Sequence, residues 1–260
     1  MLGKNRLREL QQLHQKKFRE SQGKFLAEGA KIVPELLRSN FPVEEIFARD
    51  FWLSKNHALL NESKCKVTEI AQNDLERLSQ LQTPQEVIAL CAKPVDKLPG
   101  IQAGKLMLIL DSIRDPGNMG TLIRLADWFG LDGVLATEDS VEWTNPKVIQ
   151  ATMGSFIRVR PYYMDVASLI SPTSFRLPVY AADLDGTNLY SGDYNASGFI
   201  IISNEAHGLS PELEHFVSEK IHIPAFFKQG SGPESLNAAM AGAIVLGEFS
   251  RRRMKKAENG

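Results

Sequence analysis

Side chains that can hold an anion or move a proton occur in three segments of this 260-residue chain. The first segment carries Asn118 and Arg124, the second Glu205 and His207, and the third Asn237. Each segment follows an apolar run that is typical of a buried strand. In open α/β sheets, ligands bind beyond the carboxyl ends of the strands, so all three segments are candidate parts of a site.

The first segment is a turn that leads into a helix. Residues 115–118, Asp-Pro-Gly-Asn, follow the apolar run 106–110 after a gap of four residues. Proline presets φ, glycine tolerates a positive φ, and Asn118 can cap the next helix. The turn is neither G-x-G-x-x-G nor a P-loop, so it does not match the motifs that cradle phosphates.

Arg124 lies one to two helical turns further on, between Leu122 and Leu125. An arginine on the inner face of a helix needs a partner, because burial of an unpaired charge is costly. The alternative is an arginine that faces solvent, since one face of the helix must be polar. Helical periodicity alone gives the two interpretations equal weight.

The second segment is a buried strand, residues 198–203, with a polar loop after it. Glu205, His207 and Gly208 lie in this loop, and Ser210-Pro211 is a favoured start for the next helix, with serine as its cap. A glutamate and a histidine in one loop are more often structural than catalytic. By themselves they do not identify a site.

The third segment runs from a strand that ends at Ile223-Pro224 to a long helix beginning near Ser235. Between residues 238 and 247 this helix is rich in alanine and glycine. Glycine costs about 1 kcal/mol relative to alanine inside a helix, so the two glycines indicate that another backbone lies close by. Close packing does not explain why Ser235 and Asn237 stand at the start of the helix.

Strands and helices alternate along the chain. Before residue 94 the patterns predict a basic helix over 1–20, strands at 25–27, 43–49, 66–71 and 86–93, and helices at 32–37 and at 73–81, the latter capped by Asn73. After residue 104 they predict strands at 105–110, 133–137, 178–182, 198–203 and 220–223, and helices at 118–129, 145–153, 211–219 and 235–254.

Residues 94–105, PVDKLPGIQAGK, separate the two halves and have the composition of a linker, with two prolines and two glycines. We therefore predict a small α/β domain over 1–95, a linker over 96–104 and a larger α/β domain over 105–260. Apolar strands that alternate with helices indicate a parallel sheet covered on both faces in the larger domain.

The composition is that of a globular protein, with 43% hydrophobic residues, 23% charged residues and a net charge of −1. Two cysteines without a C-x-x-C pair argue against a disulfide framework and a structural zinc site. We expect a cytoplasmic protein, because no secretory signal and no apolar run of about 20 residues occurs. Basic ends fit contact with nucleic acid, although charge alone favours the simpler explanation of a solvated helix face and a soluble tail.

In this order and spacing, the three segments resemble the SpoU family of RNA ribose 2′-O-methyltransferases, in the SPOUT class. The matching residues are Asn118, Gly120, Arg124 and Phe129-Gly130 for the first motif, Glu205 and Gly208-Leu209-Ser210 for the second, and Ile223-Pro224 with Ser235-Leu236-Asn237 for the third. The resemblance implies a parallel-sheet methyltransferase domain with a C-terminal trefoil knot. It also extends to FLAEGAKIVPELL, which is similar to the small α/β RNA-binding domain, itself like ribosomal proteins, found in front of many members.

The resemblance implies S-adenosylmethionine as the cofactor. This molecule carries no phosphate and has a cationic sulfonium, which explains why a phosphate-cradling turn is absent. No metal is expected, because the sulfonium leaving group drives methyl transfer. By resemblance the cofactor-binding residues are Ala182, Ser203, Asn204, Glu205, Gly208, Ile223, Gly232, Ser235, Leu236 and Asn237.

The resemblance also assigns catalytic roles to four residues. Arg124 would grip the phosphate next to the target ribose and stabilise the developing alkoxide. Asn118 would position Arg124 or the ribose, and Glu205 would orient Arg124 or assist proton transfer. Asn237 would shape the cofactor loop and contact the substrate.

The chain departs from the family at two places. Ser203 stands where a glycine is usual, and the loop at 225–234 is longer than in compact members. The serine could narrow the cofactor space or be tolerated at the end of a strand. Neither departure indicates an inactive protein.

The implied partners are structured RNA and a second copy of the chain, joined through the knotted domain. The N-terminal domain favours large-subunit ribosomal RNA over transfer RNA. Two alternatives stay open: a non-catalytic RNA-binding or assembly protein with the same fold, and a nicotinamide-dependent oxidoreductase. The oxidoreductase would need G-x-G-x-x-G after the first strand, and Asp132 comes too early to bind a ribose.

Overall fold

A computed structural model of the chain describes residues 2–95, 97–98, 100–170, 177–226, 232 and 234–258. Asp96 and Pro99 of the predicted linker lie outside the described residues. The chain divides into two compact units, 1–96 with 144–157, and 97–143 with 158–260. Segment 144–157 belongs to the first unit, although in sequence it lies between the two parts of the second unit. No sequence pattern indicated that this segment packs with the first unit.

The first unit, up to residue 95, contains six helices and four strands among its described residues. They are α1 (Lys4–Gln12), α2 (Lys16–Gln22), β1 (Lys24–Glu28), α3 (Ile32–Arg38), β2 (Val43–Ala48), α4 (Asp50–Lys55), α5 (His57–Glu62), β3 (Lys66–Glu69), α6 (Gln72–Leu78) and β4 (Val87–Ala92). The strands form one mixed sheet in the order β1-β4-β2-β3, with only β2 and β3 parallel.

The predicted single helix over 1–20 is wrong, because α1 and α2 are separate. Arg19, which is buried, donates from Nη1 to the carbonyl oxygens of Leu13 (2.7 Å) and His14 (2.8 Å) and so stabilises the break between them. The predicted cap at Asn73 is also wrong. Ala71 occupies the cap position of α6, and the backbone enters that helix directly from a strand edge where Ile70 N–H binds the Ala48 carbonyl.

The rest of the described chain contains six strands and five α-helices. They are β5 (Leu106–Asp111), α7 (Pro116–Trp128), β6 (Gly133–Ala136), α8 (Pro146–Thr152), β7 (Pro161–Tyr163), α9 (Val166–Ile170), β8 (Val179–Asn188), β9 (Gly198–Ser203), α10 (Pro211–Glu214), β10 (Glu219–His222) and α11 (Ala238–Glu258). The strands form a six-stranded sheet in the order β10-β8-β9-β5-β6-β7, and every neighbouring pair is parallel.

The five strands predicted after residue 104 and the parallel sheet are confirmed. The predicted helix over 211–219 is wrong in its second half, because α10 ends at Glu214. Glu219 and Lys220 already pair with β8, and this pairing requires an extended backbone. Strand β7 was not predicted, since three residues are too few to show an alternating pattern.

Strand β5 lies at the centre of the larger sheet, and all six of its residues are buried. The chain continues from β5 to β6 on one side, while β9 pairs on the other side. This reversal makes the carboxyl ends of β5 and β9 a topological switch point, which is where open α/β sheets bind ligands.

Helix α11 packs along α7, and its glycines belong to this contact. A Cβ atom at Gly242 would lie 2.5 Å from Leu122 Cδ2, and one at Gly247 would lie 3.7 Å from the Phe129 ring. The close neighbours of the two glycines are therefore side chains, and the prediction of a neighbouring backbone is wrong. No helix in the described part of the chain is both long and apolar enough to span a membrane.

Candidate active site

The three sequence segments meet at the carboxylate of Glu205. Its Oε1 accepts hydrogen bonds from the side-chain amides of Asn118 (2.8 Å) and Asn237 (2.9 Å) and from the backbone N–H of Ala238 (2.7 Å). Asn237 Nδ2 also donates to Asn118 Oδ1 at 2.8 Å. We call these four residues the Glu205 hub. Glu205 Oε2 makes no hydrogen bond to a described residue.

Asn118 is available to the hub because another residue caps α7. The helix begins at Pro116, and Oδ1 of Asp115 accepts the backbone N–H of Asn118 at 2.8 Å. The prediction that Asn118 caps this helix is therefore wrong. Its side chain points instead to Glu205, a residue 87 positions later in the sequence.

Asn237 holds both the hub and the start of α11. Its Oδ1 accepts the backbone N–H groups of Ala239 (3.1 Å) and Met240 (3.3 Å), as expected of an asparagine at a helix N-terminus. Glu205 takes the Ala238 N–H of the same turn. A carboxylate at this end of a helix is stabilised by the helix dipole.

A cavity of about 210 Å³ adjoins the hub, beside the middle of β8 and the carboxyl ends of β9 and β10. Eight of the ten predicted cofactor-binding residues line it: Ala182, Ser203, Asn204, Glu205, Gly208, Ile223, Ser235 and Leu236. The other two do not. Asn237 binds within the hub, and Gly232 is an exposed residue with φ of +149°.

The cavity lining is mostly apolar, and its charged members are carboxylates. Asp183 and Glu205 line it, and no lysine or arginine is among the described lining residues. Such a lining suits an apolar ligand with a positive charge and lacks the cations that a phosphate ligand would need. Ser203 is half-buried in the wall, and its hydroxyl makes no hydrogen bond to a described residue.

One wall of the cavity is a bulge of β8. Strand β10 pairs with β8 at Ala181 and again at Thr187, so the intervening residues form an excursion beside the cavity. Lys220 Nζ binds Asp183 Oδ2 at 3.0 Å and Glu214 Oε1 at 2.7 Å. Burial opposes ionisation of Asp183, but hydrogen bonds from the Asp185 N–H and from Lys220 outweigh it and lower the pKa of Asp183.

Gly186 ends this excursion in close contact with the neighbouring strand. A Cβ atom there would lie 2.6 Å from both the carbonyl carbon and the oxygen of Lys220. Backbone atoms cannot move aside as the end of a flexible side chain can. The position therefore requires glycine.

Arg124 is exposed on α7 and makes no hydrogen bond or ion pair with a described residue. Of the two sequence interpretations, the solvent-facing one describes its position. The structure does not join Arg124 to Asn118 or Glu205, whose side chains bond to each other. The role of Arg124 in catalysis stays a prediction.

Sequence reasoning missed Leu184 and His222, which also line the cavity. His222 directly precedes the Ile223-Pro224 pair, so its place at a strand end was the available signal. Its Nδ1 is buried without a hydrogen-bond partner among the described residues. No group of three or more metal-binding side chains occurs within the part of the chain that the structure describes.

Comparison with protein families gives two matches that together span most of the chain. The model of the SpoU rRNA Methylase family matches residues 105–247. The model of an MRM3-like substrate binding domain matches residues 4–89.

Individual relatives match nearly the full length. The 23S rRNA (guanosine(2553)-2′-O)-methyltransferase RlmP of Bacillus subtilis (strain 168) is 27% identical over 93% of this chain and 94% of its own. A protein of the TrmH family from Porphyromonas gingivalis superposes with a TM-score of 0.82 and 32% identity, covering 97% of this chain and 99% of its own. An AdoMet-bound rRNA methyltransferase from Sinorhizobium meliloti gives a TM-score of 0.84 and 26% identity, covering 97% and 96%.

Proposed function

The chain belongs to the SpoU rRNA Methylase family, and we propose that it methylates a ribose 2′-hydroxyl of large-subunit ribosomal RNA with S-adenosylmethionine as methyl donor. The family and the relative RlmP, which acts on 23S rRNA, support this target class. The match to an MRM3-like substrate binding domain supports an RNA substrate. Membership in this family sets aside the nicotinamide-dependent oxidoreductase.

One observation carries the proposal. Asn118, Glu205 and Asn237 come from three distant segments and form one hydrogen-bonded hub beside a cavity. The three hub side chains that carry polar groups are half-buried (Asn118) or exposed (Glu205 and Asn237), while the cavity next to them is mostly apolar. A reacting hydroxyl can thus lie against the hub while the cofactor occupies the cavity.

The cavity fits the proposed cofactor by its chemistry. Carboxylates without lysine or arginine suit a cationic sulfonium, and apolar strand ends suit an adenine ring. When bound, S-adenosylmethionine supplies a methyl group on a positively charged leaving group. Ala182, Ser203, Gly208 and Ile223 would hold it largely through backbone and apolar contacts, because small residues allow close approach.

Glu205 is our candidate for the proton acceptor. Three donors occupy Oε1 and fix the side chain, which leaves Oε2 to accept the proton of the 2′-hydroxyl. Asn118 and Asn237 hold this carboxylate in place. A fixed acceptor within hydrogen-bond reach of the hydroxyl is the geometry that general base catalysis requires.

Arg124 is our candidate for the phosphate contact. A guanidinium exposed on α7 can bind a phosphate through two parallel hydrogen bonds without first breaking an ion pair. Charge near the developing alkoxide would also lower the barrier. This role requires bound RNA, and it does not require a contact between Arg124 and Glu205.

We further propose that the chain forms a homodimer through its second unit and that this unit is knotted. The glycines of α11 pack against α7 within the chain, so they no longer support the dimer. The support comes instead from apolar side chains on these two helices, since Trp128, Met240 and Met254 are 80%, 59% and 61% exposed.

Both cysteines are free, in keeping with our expectation of a cytoplasmic protein.

The test is transfer of a labelled methyl group from S-adenosylmethionine to RNA from cells that lack this protein. The RNA is separated by size and digested to nucleosides. We expect label in one 2′-O-methylnucleoside from large-subunit ribosomal RNA. Label in a methylated base, or only in transfer RNA, would contradict the proposal, and cofactor binding without labelled RNA would favour a non-catalytic RNA-binding role.

A further inference from the structure

Asp111, the last residue of β5, is a carboxylate that the proposed chemistry does not use. Its side chain is fully buried, with 0% exposure. Oδ2 accepts the backbone N–H of Ser210 at 2.7 Å, while Oδ1 has no hydrogen-bond partner among the described residues. A carboxylate in such a place costs stability, because burial disfavours its charged form.

The Ser210 contact is one of two that tie the loop 204–210 to β5. At the other end of the loop, Asn204 Nδ2 donates to the carbonyl oxygen of Ser112 at 2.9 Å. Two consecutive residues, 111 and 112, therefore hold both ends of the loop that carries Glu205. We call this pair of contacts the β5 anchor.

Within the loop, Asn204 also fixes the turn. Its Oδ1 accepts the N–H of Ala206 at 2.8 Å, and its carbonyl oxygen accepts the N–H of Gly208 at 2.9 Å. Gly208 has a φ of +67°, which closes the turn without strain. Glu205 lies between these bonds, so its backbone position depends on the two anchored ends.

Ser112, which accepts the second contact of the β5 anchor, has an unfavourable backbone conformation. Ser112 has a φ of +54°, a left-handed conformation that is rare outside glycine. Its N–H donates to Thr137 Oγ1 and its Oγ to Asp139 Oδ2, each at 2.8 Å. Strained residues persist where surrounding bonds fix them, and they concentrate at functional sites.

From this geometry we infer that Asp111 is a positioning residue for methyl transfer: it fixes the loop 204–210 through the Ser210 amide and thereby aims Glu205. The inference rests on the proposed function, because it assigns Asp111 a part in that reaction. Burial raises the pKa of the Asp111 carboxyl, against the effect of the hydrogen bond from the Ser210 N–H. An apolar residue at this position would avoid that penalty but could not accept the Ser210 N–H.

A pair of substitutions at residue 210 isolates the contact. Ser210 has φ −66° and ψ 141°, which proline adopts without strain, so Ser210→Pro removes the N–H donor. Because the proline Cδ takes the place of the amide hydrogen and meets Asp111 Oδ2, the variant is made both alone and together with Asp111→Ala. Ser210→Ala removes the hydroxyl and keeps the N–H. We expect kcat per folded molecule to fall about 10- to 100-fold in Ser210→Pro and to stay within about threefold of wild type in Ser210→Ala, since small displacements of reacting groups have effects of this size.

Substitutions at Asp111 test the other partner. Asp111→Ala should lower kcat as Ser210→Pro does, and Asp111→Asn should restore most of it, because the asparagine Oδ1 can still accept the amide. Asp132 provides the control, as it accepts the backbone N–H of Leu106 at the opposite end of β5. Asp132→Ala should lower the melting temperature without lowering kcat per folded molecule.

Three results would overturn the inference. The first is that Ser210→Pro and Asp111→Ala both have the same kcat as Ser210→Ala. Another is Asp111→Asn with no more activity than Asp111→Ala, and the third is Asp132→Ala with an equal loss of kcat. If the wild-type protein transfers no methyl group to RNA, the proposed function fails instead, so the two failures are distinguishable.

Discussion

Replacement of Glu205 by glutamine separates the two tasks that the hub geometry gives this residue. Glutamine keeps the size of the side chain and an oxygen acceptor for Asn118, Asn237 and the Ala238 N–H. In place of Oε2 it presents an NH₂ group, which donates and cannot take a proton. The variant therefore keeps most of the positioning and removes the proposed proton acceptor.

The expected losses differ in size for the two tasks. Hydrogen bonds to charged groups contribute about 1.5–3 kcal/mol each and those between neutral groups about 0.5–1.5 kcal/mol. Two of the three bonds on Oε1 are solvent-exposed and the third is only partly buried, so we expect Glu205→Gln to lower the free energy of unfolding by only about 1–2 kcal/mol. Loss of a general base lowers kcat by about 10²- to 10⁴-fold, or about 2.7–5.4 kcal/mol in the barrier.

The assay is single-turnover methyl transfer to under-methylated ribosomal RNA, together with cofactor binding by calorimetry and urea unfolding. We expect the rate of Glu205→Gln to fall at least about 100-fold while the cofactor Kd changes by less than about tenfold. A rate within about tenfold of wild type would refute the role of Oε2 as proton acceptor and leave Glu205 as an organiser of the hub.

Individual contacts give three further predictions. Gly186→Ala should destabilise the second unit by about 1–3 kcal/mol and weaken cofactor binding, because the new Cβ meets the Lys220 backbone. The control Gly100→Ala, whose Cβ has no atom within 4 Å, should do neither when both variants are compared by urea unfolding and calorimetry. Arg124→Ala should lower methyl transfer at least about tenfold with unchanged melting temperature and cofactor Kd, and an unchanged rate would contradict the phosphate contact. Burial of Asp132 opposes ionisation, but hydrogen bonds from Lys105 and from the Leu106 N–H outweigh it and lower the pKa of this carboxyl. Asp132→Asn should therefore be less stable than wild type above about pH 4, and the difference should vanish as the pH falls through the lowered pKa. An equal difference in urea unfolding at pH 7 and at pH 2 would contradict this.

Much of the second unit could be predicted from the sequence, because its strands are apolar runs between turn residues. Strands β5, β6, β8, β9 and β10 lie where the patterns placed them. The pattern could not give the end of α10, since the mixed polar and apolar residues after Glu214 fit an amphipathic helix and an edge strand equally well. The same limit applies to segment 144–157, whose helix was predicted but whose membership in the first unit depends on tertiary contacts.

The candidate site divides in the same way. Motif positions placed eight cofactor residues at the cavity, because strand ends gather at one edge of a parallel sheet. The importance of Asp111 and Gly186 could not be predicted from motif positions, because each depends on a contact with a residue far along the chain. Asp111 accepts the backbone N–H of Ser210, and Gly186 lies against the backbone carbonyl of Lys220. Local sequence shows that a residue is polar or small, and only the fold shows what it touches.

Arg124 is a motif residue whose side chain bonds to no described residue of its own chain. The resemblance to the family predicted that Glu205 or Asn118 would orient it, but those two side chains bond to each other, and Oε1 of Glu205 already has three donors. An arginine side chain carries about 2 kcal/mol of rotamer entropy, which a binding partner must offset to hold it in one position. If Arg124 acts in catalysis, we therefore expect the group that orders it to be a phosphate of the bound RNA or part of a second subunit. The hub would then be complete before RNA binds, while the phosphate contact would form only with the substrate in place.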